Sequence, residues 1–146
     1  MKKKPESINN FSKIPHAIRY GEVYRARLDD AEGYEQKGDK KTGMRPVVVV
    51  SNNRQNIKRK VVVVVPFTTK KLDKIYPFQV RIYFRGQHGK AKCEQVRAIT
   101  IEKFEKKLGE LNEKEMNEIE EKLITVLNLD SYIERKLKER LQDFLL

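Results

Sequence analysis

Two nearly pure valine runs, residues 47–50 and 61–65, constrain this chain more than any other feature. Uninterrupted β-branched residues favour extended backbone, and a strand with one face in water would alternate apolar with polar residues. Both runs are therefore predicted to be strands covered on both faces. The ten residues between them, "SNNRQNIKRK", are mostly polar or basic and keep charge beside two aggregation-prone segments. Pro46 and Pro66 flank the runs, and the loss of a ladder donor predicts that each sits at a strand end or edge.

Other strands are expected around that pair. "IRYGEVYRARL" (18–28) and "FQVRIYF" (78–84) read as strands, "GQHG" (86–89) as a turn, and "KAKCEQVRAI" (90–99) as one strand or two. "DDAEGYEQKGDKKTG" (29–43) is a long charged loop, a kind that is usually functional. Helix begins late. Asn112 is placed as an N-cap with Glu115 three residues on, and Leu111 and Met116 as a hydrophobic staple. A second helix starts at Asp130 as its cap and carries Ile133, Leu137, Leu141 and Leu145 at every fourth position. That stripe is expected to pack on the barrel in preference to a partner. Residues 1–18, lysine-rich and broken by Pro5 and Pro15, read as a basic arm. The fold expected is mainly β with C-terminal helices (α+β), built on a compact antiparallel barrel.

With 146 residues the chain suits one domain, and its net charge of +11 is unevenly placed. Residues 1–100 hold 23 Lys/Arg against 9 Asp/Glu, whereas residues 101–146 hold 9 against 12. A basic body of this kind suits a polyanionic partner. One cysteine suits a reducing cytoplasm, and no stretch approaches a membrane span. His16, His88 and Cys93 lack zinc-site spacing, so no metal is expected. No phosphate-binding glycine loop is present, which argues against nucleotide hydrolysis. Cys93 and His88 could form a nucleophile pair, but the plainer reading makes Cys93 a strand residue and His88 a turn residue.

What remains is Glu35, Arg45 and Thr68. Arg45 precedes one valine run and Thr68 follows the other, so antiparallel pairing of the runs puts a guanidinium and a hydroxyl at the same sheet end. An arginine fork matches phosphate oxygens and stays charged. Two roles fit this geometry: a phosphate site, or a structural ion pair at Arg45 with Thr68 capping a turn. Were the polyanionic partner a nucleic acid, Tyr34 could stack on a base. Ser51, Asn52, Asn53, Thr69 and Lys70, just beyond the strands, could hydrogen-bond to it.

The ordered set "YGEVYRARL", "GYEQKG…GMRPVVVVSNN", "VVVVVPFTTK", "YPFQVRI", "CEQVRAI" and "LITVLNL" resembles the MazF/PemK toxins of toxin–antitoxin systems over roughly residues 20–129. The resemblance implies an SH3-like barrel of the CcdB/PemK type over 19–129, usually as a homodimer, with 130–146 an additional amphipathic helix. It implies a metal-independent, sequence-specific endoribonuclease (an mRNA interferase) that needs no cofactor and is neutralised by an antitoxin. An acidic antitoxin segment would suit the basic groove. Arg45 and Thr68 match the residues that act at the scissile phosphate, and Glu35 the glutamate of the preceding loop. Gln36 belongs to the same E-Q element, and Glu94, Gln95 and Arg97 match a segment lining the RNA groove. Chemically, the 2′-hydroxyl would attack, Arg45 and Thr68 would stabilise phosphoryl charge, and Glu35 would take the proton. Two rivals from other classes stand beside this: a non-catalytic inhibitor of a protein such as a topoisomerase, and a basic RNA-binding module.

Overall fold

A computed structural model describes residues 14–28, 35–58 and 60–145. The valine runs form β2 (Met44–Val49) and β3 (Val61–Thr68), paired antiparallel. Around them lie β1 (Glu22–Arg27), β4 (Gln79–Phe84), β5 (Gln87–Lys92), β6 (Arg97–Thr100) and β7 (Phe104–Glu110). The strand order is β4-β5-β3-β2-β1-β7, with β6 on the first half of β3. Because β3 pairs with β6 over Val61–Val64 and with β5 over Phe67–Thr68, the sheet curls into a half-closed barrel.

Both faces of the central strands are covered, as unbroken valine requires. Val47, Val49, Val62 and Val64 join Tyr24, Leu28, Ile99 and Phe104 in one cluster. Val48, Val65 and Phe67 join Val80, Ile82, Met116 and Ile119 in the other. Each buried valine or isoleucine contributes about 1.5–3 kcal/mol relative to exposure. Ile14 and Ile18 are buried in the first cluster, so the chain is already part of the core from residue 14. Residues 1–13 of the expected arm lie outside the described residues.

Several local expectations shift. Pro46 and Pro66 lie inside β2 and β3 rather than at their ends. Pro46 precedes the first β2–β3 pair at Val47, and Pro66 falls between the β6 and β5 ladders, where the missing donor does least harm. The β4–β5 turn is Arg85–Gly86, not 86–89. Both residues have positive φ (54° and 78°), which a two-residue primed turn demands. His88 is thus a strand residue, and Cys93 opens a short 3-10 turn, Cys93–Gln95. A six-residue helix α1 (Asn53–Lys58) and strand β7 were not foreseen.

Helix α2 (Glu113–Val126) starts on the expected capping box of Asn112 and Glu115, with Leu111 and Met116 buried together. Helix α3 (Asp130–Leu145) has Asp130 as its first helical residue rather than its cap. None of its described residues is buried, so the leucine stripe does not pack on the barrel as expected.

Candidate functional site

The β2–β3 register runs Val47 to Pro66, Val48 to Val65 and Val49 to Val64. Continued outward by two residues, it sets Arg45 opposite Thr68. The two residues expected at one sheet end therefore both lie there, bordering one cavity. Arg45 donates from Nη1 to the carbonyl of Phe67 at 3.0 Å and from Nε to the carbonyl of Lys37 at 2.5 Å. Those contacts use two of the five guanidinium donors. Burial lowers its pKa from the ordinary arginine value, with Asp39 opposing and Arg97 adding to the shift, yet an arginine so placed keeps its charge. Thr68 is buried, and its Oγ1 accepts the Lys70 N–H at 3.2 Å. The turn-capping role is thus real, and it leaves the hydroxyl hydrogen available as a donor.

Cross-strand partners share a face. Thr68 pairs with Lys90, and Gln79 with Lys92, which extends the Arg45 face into a basic strip. Lys90 is buried, and its ammonium donates to the carbonyls of Lys71 at 3.0 Å and Lys74 at 2.8 Å. The Lys92 pKa is lowered, mainly by burial and against the pull of Glu94, with Lys90 and Arg45 among the neighbouring cations that add to the drop.

The E-Q segment is held against this strip. Gln36 N–H donates to Gln95 Oε1 at 2.9 Å, Lys92 donates to Gln36 Oε1 at 2.8 Å, and the Arg97 guanidinium donates to the Gln36 carbonyl. Gly38 makes the neck of the loop possible, since a Cβ there would stand 1.9 Å from the Gly43 carbonyl oxygen. Glu35, at the start of the segment, is exposed. Glu94 accepts from Gln79 Nε2 at 2.9 Å, while its other oxygen is buried with no donor among the described residues. Tyr34 lies outside the described residues.

Not every candidate gathers here. Thr69 and Lys70 are exposed at the rim. They also border a cavity of about 660 Å³ that touches Arg45 and Thr68 but runs along Phe67, Ile82, Phe84 and Leu108, on the opposite face of the sheet. Ser51, Asn52 and Asn53 sit at the far end of β2 and serve the scaffold. Ser51 bonds Asn56 and accepts from Val63 N–H at 3.0 Å, Asn52 accepts from Gln55 N–H at 2.8 Å, and Asn53 accepts from Tyr20 N–H at 2.6 Å. Cys93 is an inert core thiol: burial first, and Glu94 second, push it up to about 12. Gln79, Lys90 and Lys92 join this strip without having been expected there. Lysines two apart in "KAK" were the available signal, since that spacing puts both on one strand face.

The family model for PemK-like, MazF-like toxins of type II toxin–antitoxin systems matches residues 19–127. The chain belongs to this family. Endoribonuclease MazF9 of Mycobacterium tuberculosis is 35% identical over 121 residues, covering 77% of this chain and 98% of that protein. A solved endoribonuclease in complex with its cognate antitoxin, from a mycobacterial species, is 27% identical and covers 77% of this chain and 97% of its own, with a TM-score of 0.62. The crystal structure of MazF from Deinococcus radiodurans, 23% identical over 77% of this chain and 98% of its own, has a TM-score of 0.65 and attests the fold. In PemK/MazF terms, β1 to α2 is the shared body, and α3 lies beyond the match. Among the described residues, no helix is long and apolar enough to cross a membrane, and no group of three His, Cys, Asp or Glu could hold a metal ion.

Proposed function

We propose that this chain is an endoribonuclease toxin that cuts single-stranded RNA at Arg45 and Thr68. One observation carries the reading: in a PemK/MazF chain, the register of the two valine strands brings this cation and this hydroxyl together at one sheet end. The substrate's own 2′-hydroxyl attacks the adjoining phosphorus, the P–O5′ bond breaks, and a 2′,3′-cyclic phosphate and a 5′-hydroxyl result. Charge accumulates on the non-bridging oxygens, where fixed N–H and O–H donors are most effective. Arg45 supplies the charge and Thr68 a hydroxyl donor. Glu35, beside the segment that Arg45 and Arg97 hold, takes the 2′-hydroxyl proton, and the departing 5′-oxygen takes a proton from water. Lys90 and Lys92 shape the cationic strip, and Gln36, Gln95 and Arg97 hold its wall.

The protein works in the cytoplasm as a homodimer, restrained by an antitoxin whose acidic segment competes with RNA for the same strip. The test is incubation of purified protein with a long mixed-sequence transcript in EDTA. Discrete cuts bearing 5′-hydroxyl ends are expected. Binding without cuts would make the protein an RNA-binding module, and neither binding nor cutting would turn attention to a protein target.

A further inference from the structure

Beyond Thr68 the chain folds back over its own site. Lys90, the cross-strand partner of Thr68, draws the carbonyls of Lys71 and Lys74 towards β5. A tight turn follows, in which Tyr76 N–H donates to Gln79 Oε1 at 3.1 Å and Gln79 N–H donates to the Tyr76 carbonyl at 2.9 Å. The Gln79 side chain is anchored in turn on Glu94, beside Lys92. On this turn the rings of Tyr76 and Phe78 lie parallel, 2° apart in tilt, with centroids 5.5 Å apart. Tyr76 is 43% exposed, and the Lys74 ammonium stands 5.2 Å from its ring centroid.

A tyrosine that served only to fill the core would be covered. This one is half in solvent, its backbone is pinned on both sides, and a second ring supports it. Aromatic faces joined to cations are what sequence-tolerant single-strand sites use, because every base has a π-face and every nucleotide a phosphate. We infer that Tyr76, backed by Phe78, is the stacking platform for a base adjoining the cut phosphate, with Lys74 neutralising the backbone beside it. The inference rests on the nuclease reading and names a substrate contact for it.

Steady-state cleavage of a mixed-sequence transcript by Tyr76→Ala, Tyr76→Leu and Tyr76→Phe tests the platform. Loss of stacking raises KM roughly tenfold in the Ala and Leu variants. Their kcat stays within about threefold of the parent, as expected for uniform binding, and Tyr76→Phe behaves as the parent. Leucine keeps apolar bulk without a π-face, so a parental KM in Tyr76→Leu overturns the inference. A second measurement does not need cleavage. The chain has no tryptophan, so Tyr76→Trp carries the sole indole. Titration with a mixed-sequence 2′-O-methyl oligonucleotide should quench its fluorescence, and binding without quenching overturns the platform. If the parent protein cuts no transcript, the nuclease reading fails while the quench still decides this one.

Discussion

Arg45 donates from Nη1 to the backbone carbonyl of Phe67 at 3.0 Å, one residue before Thr68. The guanidinium is thus positioned by the same strand that presents the hydroxyl. Its Nε is tied to Lys37 across the neck of the preceding loop. A cation fixed by two backbone carbonyls needs little reorganisation when charge develops on a phosphate, which is the condition for effective electrostatic stabilisation.

Replacing that cation should therefore abolish most turnover. Arg45→Ala is expected to lower kcat by about 10²–10³, the range for removal of one preorganised donor. Arg45→Lys should recover little, because an ammonium cannot reproduce the planar fork. Circular dichroism and RNA binding should remain near parental. Cleavage at the parental rate by Arg45→Ala would remove Arg45 from the chemistry.

Thr68 separates a hydroxyl effect from a packing effect, since it is buried and valine is close to its shape. Thr68→Val should lose the donor and with it on the order of 10² in kcat. Its unfolding midpoint should change little beyond the loss of the Lys70 cap, worth about 1 kcal/mol. Thr68→Ser should keep most activity. Equal activity of the Val and Ser variants would make the residue a turn cap and nothing more.

Glu22 gives the fold a pH dependence. Burial alone would raise its carboxyl pKa, but the Lys107 ammonium at 2.8 Å, the Tyr24 hydroxyl at 2.6 Å and the Arg19 N–H at 2.7 Å together hold it below the usual carboxylate value. A depressed folded pKa contributes stability above the unfolded value, near ~4.3, and loses it as pH falls through the folded value. Glu22→Gln should cost about 1–3 kcal/mol at neutral pH. It should also flatten the fall in urea midpoint as the pH drops below about 5. Parallel midpoint curves for the two proteins would show that Glu22 is not a source of the acid sensitivity.

How much of this the sequence announced depended on periodicity. Valine runs, the capping box at Asn112–Glu115 and the Arg45–Thr68 juxtaposition all follow from regular spacing, and all three stand in the structure. Strand β7 escaped because "FEKKLGE" carries two adjacent lysines, and its pairing with β1 slips register twice. Helix α1 escaped because six residues between two strands, five of them polar, look like a linker. Lys90 and Lys92 are long-range partners: only the β3–β5 and β4–β5 ladders reveal that they share a face with Thr68 and Gln79. Ser51, Asn52 and Asn53, expected beside the site, lie at the other end of β2 from Arg45 and bond the scaffold. Being just past a strand says nothing about which end of the sheet holds the chemistry.

Helix α3 was expected to lie on the barrel, and its exposure supplies the last prediction. Leu137 and Leu141 are 62% exposed, Phe144 85% and Leu145 75%. A helix that buries no side chain contributes little to the stability of the body it follows, because helix propensity alone is marginal at 16 residues. Truncation after Leu129 should therefore leave the thermal midpoint within about 2 °C of the full chain, the shift expected for roughly 0.5 kcal/mol. Transcript cleavage should also persist, since Arg45, Thr68, Lys90 and Lys92 all lie upstream of the cut. The informative contrast is a Leu137→Ala, Leu141→Ala double variant in the full chain, read by the same melt. No loss of stability there agrees with an unpacked helix, whereas a drop of several degrees would show that the leucine stripe is covered in solution.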